Sequence, residues 1–164
     1  MKMTEFFLGE LERSVDATRR TLERVPEGKY DWKPHPKSMA MGSLAQLVAT
    51  LPGWTAFVVN QDALDLATYK SPQLRTSQEL VQGHEQAVAA ARAALAKSTD
   101  EHLLKTWRLL VAGKVVSEDP RHIVLSDAVF SHLAHHRGQL TVYLRLHDVP
   151  VPAIYGPSAD EGKF

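Results

Sequence analysis

The 164-residue chain contains no cysteine. That excludes disulfides, thiolate metal sites and a cysteine nucleophile together, so thiol chemistry would need a thiol brought by a substrate. Neither sign of charge is in excess, because 19 Lys and Arg balance 19 Asp and Glu. Bulk nucleic-acid binding therefore lacks its usual electrostatic driving force. No apolar run approaches the roughly 18 residues of a membrane span. The N-terminus, MKMTEFFLGELERS, carries acids where a signal peptide keeps an apolar stretch. These absences predict a cytoplasmic protein with neither nucleic acid nor membrane as partner. Internal repeats and low-complexity segments are also lacking.

What is present suits one globular domain over 1–164. The hydrophobic share of 44% and charged share of 23% are ordinary for a soluble fold with a real core. Apolar periodicity predicts four long helices. The first spans 4–25, with Thr4 as cap and Pro26 and Gly28 as terminators. The second spans about 43–60, with Ser43 as cap and a kink at Pro52, whose nitrogen cannot donate. The third spans about 77–97, where Thr76 and Glu79 have capping-box spacing. The fourth spans about 123–147. Residues 26–42 read as a loop, 61–75 as a connection of mixed character, and 149–164 as an irregular tail. Between helices three and four, β-branched and aromatic residues surround Ala112-Gly113, which predicts a short hairpin or extended excursion. The expectation is all-α: a four-helix bundle with a crossover connection, a fold that builds metal sites between facing helices.

The fourth helix carries SHLAHHRGQL, with three of the chain's eight histidines. His132 and His136 are four apart and share one face, in an expected stripe of Val129, His132, His136, Leu140, Tyr143 and Leu144. A buried imidazole needs a partner at both nitrogens. A metal ion supplies one to each ring; hydroxyls, backbone and water are the alternative. Leu133 stands where a zincin helix has its glutamate base. His135 and Arg137 fall off the stripe, so His135 should face solvent or a partner chain and Arg137 a surface carboxylate. Gly138 either admits a close neighbour or is merely tolerated. Gln139 could orient a ring nitrogen. The Tyr143 hydroxyl could reach a ligand, or bond to backbone as a buried tyrosine. Trp32 is a candidate pocket wall, Trp54 a core residue, and Tyr155 a cover for one mouth of the bundle.

HLAHHRGQL with VYLRLHDVPVPAIYGPSADE closely resembles the end of DinB/YfiT-like proteins. So do DWKPHPKSMAMGSLAQLVATLPGW (31–54) and the stretch from Trp107 to Arg121. The resemblance spans essentially the whole chain. It implies a four-helix bundle in down-up-up-down order, often a homodimer, with a divalent metal such as nickel or zinc on three histidines. Two of these match His132 and His136. The third lies on helix two, in a segment resembling Met-Gly-Ser-Leu-Ala-x-His-Val-Ala-x-Leu-Pro-Gly-Trp, and falls on Leu47. Leucine cannot coordinate, so the implied metal is weakened or absent.

Three readings follow. The site is vestigial and Leu47 is core. Or two histidines hold a metal with water or another donor, for which Gln46, Thr50 and His84 are candidates. Or His35, on its proline-bound loop, closes over the site. The pocket then includes Leu47, Trp32, His35, Gln139 and Tyr143.

The resemblance implies a metal-dependent enzyme, either a transferase using a low-molecular-weight thiol or a hydrolase. No carboxylate base lies near the histidines, which weakens hydrolysis. The alternative is a non-catalytic small-molecule-binding or interaction protein. In that reading Phe57-Val58-Val59 and Trp54 would serve a dimer interface.

Overall fold

The computed structural model describes residues 1–162; the last two positions of the expected domain lie outside that range. Helix α1 covers Met3–Leu22 and buries Phe7, Leu11, Thr18 and Leu22 along one face. Thr4 does not cap it. The Met3 and Thr4 amides donate to the Asp100 carboxylate at 3.1 and 3.2 Å. An anion from a distant segment thus satisfies the free N–H groups of the first turn.

Helix α2 (Met41–Thr50) runs through a 3₁₀ turn at Leu51–Gly53 into α3 (Trp54–Asn60). Pro52 sits in that turn, at the predicted break. The run enters α2 past Tyr30, whose carbonyl accepts from the Gly42 amide at 2.8 Å. A Cβ at Gly42 would lie 2.6 Å from the Tyr30 ring, so only glycine fits there. Met41–Asn60 is long and apolar enough to cross a membrane, contrary to expectation from the sequence, but just over half of its most apolar window is buried against the protein. That burial suits a core helix.

Helix α4 (Ser77–Lys97) opens with the predicted capping box: Glu79 N–H to Thr76 Oγ1 and Thr76 N–H to Glu79 Oε2, both 3.1 Å. The short helix α5 (Asp100–Leu103) leads into strands β2 (Thr106–Val111) and β3 (Lys114–Pro120). They form the predicted hairpin. Ala112 and Gly113 both have positive φ, 51° and 76°, as a type I′ turn demands.

The all-α expectation needs correction. β1 (Ala63–Asp65) lies within the 61–75 connection and pairs parallel with β2, giving a three-stranded sheet in the order β1-β2-β3. Asp65 fastens it, accepting from the Ala112 and Gly113 amides at 3.0 and 2.7 Å. Those contacts hold Ala112 in its unfavourable conformation, and backbone donors led by Ala67 keep the Asp65 carboxyl below its usual range.

The last helical run begins with α6 (Arg121–Val124), widens into π-helical turns at Leu125–Ser131, and continues as α7 (His132–Arg145). Helices α1, α2, α4 and α7 pack around one core that includes Leu22, Leu44, Val48, Leu80, Leu133 and Leu140. A second core joins α3, α5 and the sheet around Val58, Leu103 and Trp107. The irregular tail is tied back to the body: Glu161 pairs with Arg20 and Arg24, and Asp160 with Arg145.

Candidate functional site

The buried face of the last run keeps four of the six expected positions, Val129, Leu140, Tyr143 and Leu144, and replaces the two histidines. It passes through Leu125, Val129, Leu133, Arg137, Leu140, Tyr143 and Leu144. The first four are spaced by four residues, as the wide π turns allow, and this displaces the first turns of α7 by about one residue. His132 and His136 consequently sit at the edge, half-buried, while Arg137 occupies the centre at 1% exposure. The expected surface salt bridge of Arg137 is thereby corrected. His135 is exposed, as its rotation from His136 requires.

The two histidines face each other, with Nε2 to Nε2 at 2.7 Å. Their other nitrogens are also engaged. His132 Nδ1 lies 3.3 Å from the Ala128 carbonyl, and His136 Nδ1 lies 2.8 Å from Gln139 Oε1. A carbonyl only accepts, so His132 donates from Nδ1 and, when neutral, accepts at Nε2. His136 then donates from Nε2, and its Nδ1 is satisfied when the Gln139 amide turns its NH₂ towards it, an orientation that heavy-atom positions do not fix. The result is a neutral chain from Gln139 through both rings to Ala128. With the Gln139 oxygen turned inward instead, both Nδ1 atoms donate and the two Nε2 lone pairs face one another. Burial, with the neighbouring imidazoles, holds the His136 ring below the usual histidine range, opposed by Gln139.

No described hydrogen bond joins the remaining candidates to the pair. Leu47 is half-buried against the first core and also borders a shallow cavity of about 210 Å³ with Met39, Trp54 and Tyr69. Because it is at an edge, Leu47→Ala is expected to cost only about 1–2 kcal/mol in urea unfolding, below the usual range for a fully buried leucine. Gln46 bonds Ser71 and Leu74, and the Thr50 hydroxyl donates to the Gln46 carbonyl. His35 is exposed and its Nδ1 accepts from the Lys37 amide at 3.2 Å. Tyr143 donates to the Met39 carbonyl at 3.2 Å. Trp32 is half-buried edge-on against Tyr143 and His147, at 5.5 and 4.3 Å between ring centroids. Val58 and Val59 are buried in the second core, while Trp54 and Phe57 are half-buried, each edge-on to Tyr69.

His84 is buried and points into the helical body, with Nε2 3.3 Å from the Val15 carbonyl. Burial first, and Arg137 to a lesser degree, depress its pKa from 6.5, against the backbone of Val15 and Ala49 and the charge of Glu85. The folded state refuses a proton that the unfolded chain takes near its ordinary pKa. Stability is therefore full above that value and falls as pH drops through it. His136 adds a slope of the same sign. Urea midpoints should decline between about pH 7.5 and 5.5, and His84→Gln should flatten the decline.

A three-histidine metal does not fit these residues. Among those described, no three His, Asp or Glu side chains come together as a metal-holding group. Two imidazoles on one tetrahedral ion stand about 3.3 Å apart at normal bond lengths, whereas these have closed to 2.7 Å. Gly138 beside the pair has open space where a Cβ would go. Close approach is thus not its reason, and Gly138→Ala should stabilise the protein by about 0.5–1 kcal/mol in the same assay.

Comparison with known proteins agrees with the layout. A protein of Bacillus subtilis strain 168, the uncharacterized YrdA, is 27% identical over 158 residues, covering 96% of this chain and 90% of its own. A DinB-like protein of Bacillus cereus ATCC 10987 superposes with a TM-score of 0.71 at 21% identity, over 92% of this chain and 97% of that one. YjoA, a DinB-like protein of Bacillus subtilis, does so at 0.67 and 20% identity, over 89% and 95%. The DinB family pattern matches residues 1–163, and the chain belongs to the DinB family.

Proposed function

We propose that this chain is a non-catalytic, small-molecule-binding DinB protein whose metal site has lapsed. Its helical body is a down-up-up-down four-helix bundle with the small sheet attached at one end. The observation that carries the reading is the closed histidine pair: with the Gln139 amide turned NH₂-inward, each ring nitrogen has a partner within the protein. In that arrangement burial of His132 and His136 creates no demand for an ion. Leucine at position 47 removes the pre-organised third donor, and recruited water does not restore that advantage. Homodimer formation belongs to the same reading.

A second reading is favoured by one feature. The partners of both Nδ1 atoms are of the kind that orient metal-bound imidazoles. Two histidines would then hold nickel or zinc weakly in a thiol-transferase or hydrolase.

Long-range proton–nitrogen NMR of the imidazoles separates the two. The lapsed site requires His132 and His136 signals that one equivalent of zinc leaves in place. Zinc-induced shifts at both Nε2 atoms would replace the first reading with the second.

A further inference from the structure

Two arginines are buried to 1% exposure among the described residues, and they are held in opposite ways. Arg121 has a counter-ion, Asp62 at 2.6 Å, besides four backbone carbonyls. Arg137 has none. Its hydrogen bonds go to neutral oxygens: Thr18 Oγ1 at 2.8 Å, the Ser14 carbonyl at 3.3 Å and the Tyr155 hydroxyl at 2.7 Å. No described carboxylate pairs with it, and two of its five N–H donors have no described partner. A buried charge without a counter-charge is costly. Burial also pulls the Arg137 pKa below the ordinary arginine value.

Arg137 borders a cavity of about 420 Å³ between α1, α7 and the tail. Phe130, Leu133 and Ile154 give it an apolar wall. Glu10 and Arg13 also line it, but they are ion-paired with each other. The lining is therefore left with the one positive charge of Arg137. Tyr155 forms the outer wall, its exposed ring centred 5.2 Å from the guanidinium carbon.

The structure assigns this cavity to a small organic monoanion, a carboxylate with an apolar or aromatic body, its carboxylate at Arg137. A planar carboxylate matches the edge of a guanidinium that lacks a counter-ion, and the apolar wall takes the rest. The volume is that of an ordinary small-molecule site. The inference does not depend on the state of the histidine pair, which lies on a different face of α7.

The test is calorimetric titration of the intact chain with benzoate at constant ionic strength, with benzamide as neutral isostere and inorganic phosphate as the other anion. Expected is saturable one-to-one binding of benzoate with Kd on the order of 1 mM or tighter. Benzamide and phosphate should bind at least about tenfold more weakly. Arg137→Met should lose about tenfold in affinity. Ala134→Phe fills the cavity without touching the guanidinium bonds, and should abolish binding even where Arg137→Met fails to fold. The proposal is overturned by absence of saturable benzoate binding, by equal binding of benzamide, by tighter binding of phosphate, or by unchanged affinity in Ala134→Phe.

Discussion

Arg121→Ala is expected to cost about 3–5 kcal/mol of stability, while Asp62→Ala costs less than about 1 kcal/mol. Both remove one side of the same ion pair. The Arg121 side chain is 1% exposed and that of Asp62 is 95% exposed. Arg121 joins the Val58 and Gln61 carbonyls at the end of α3 to the Lys105 and Thr106 carbonyls at the start of β2. It thus ties the sheet to the helical body. Its loss leaves carbonyls unpaired in a cavity too polar to collapse, at about 1–3 kcal/mol for each that is truly buried. Asp62 returns to water at little cost. Urea unfolding of both variants at unchanged m-value checks the pair. An Arg121→Ala loss no larger than that of Asp62→Ala would mean that the arginine does not hold the sheet.

Leu47→His is expected to convert a protein without tightly bound metal into one holding about one divalent ion per chain. The position sits on α2, which packs against α7, and it is the helix-two histidine of the family resemblance. A third imidazole makes the opening of the His132–His136 pair worthwhile, because three pre-placed donors share the ordering cost of one ion. The lost leucine packing is modest, since the side chain is only half-buried. Zinc should raise the melting temperature of Leu47→His and leave wild type unmoved, by mass action on the folded state. His132→Ala in the Leu47→His background should remove the effect.

Much of the fold was legible because the signals are local. Thr76 and Glu79 cap α4 within four residues of one another. Pro52 breaks the helix wherever it stands. The Ala112-Gly113 turn is flanked by its own strands. The failures are nonlocal. Strand β1 has three residues and its partner lies some 45 positions on, so no window contains both. The Met3 and Thr4 amides at the start of α1 are held by Asp100, which no reading of residues 1–10 could supply. The π-helical turns at Leu125–Ser131 carry no sequence mark, and they shift the phase of the turns that follow, while Leu140, Tyr143 and Leu144 stay buried as expected. That shift moved the histidines to the edge and brought Arg137 into the interior. A stripe drawn with a 3.6-residue period therefore chose the right two histidines as a pair and misjudged their burial. The pairing of their nitrogens with Gln139 and Ala128 was half visible: position 139 stood out, and the carbonyl four residues before His132 did not.

Metal stoichiometry on untagged protein tests the central claim most directly. Wild type, Leu47→His, and the His132→Ala/His136→Ala double variant would be stripped, loaded with zinc or nickel, dialysed, and analysed by mass spectrometry. The lapsed-site account requires wild type to retain no more metal than the double variant, and Leu47→His to approach one ion per chain. Wild type at about one ion per chain, lost in the double variant, would contradict it.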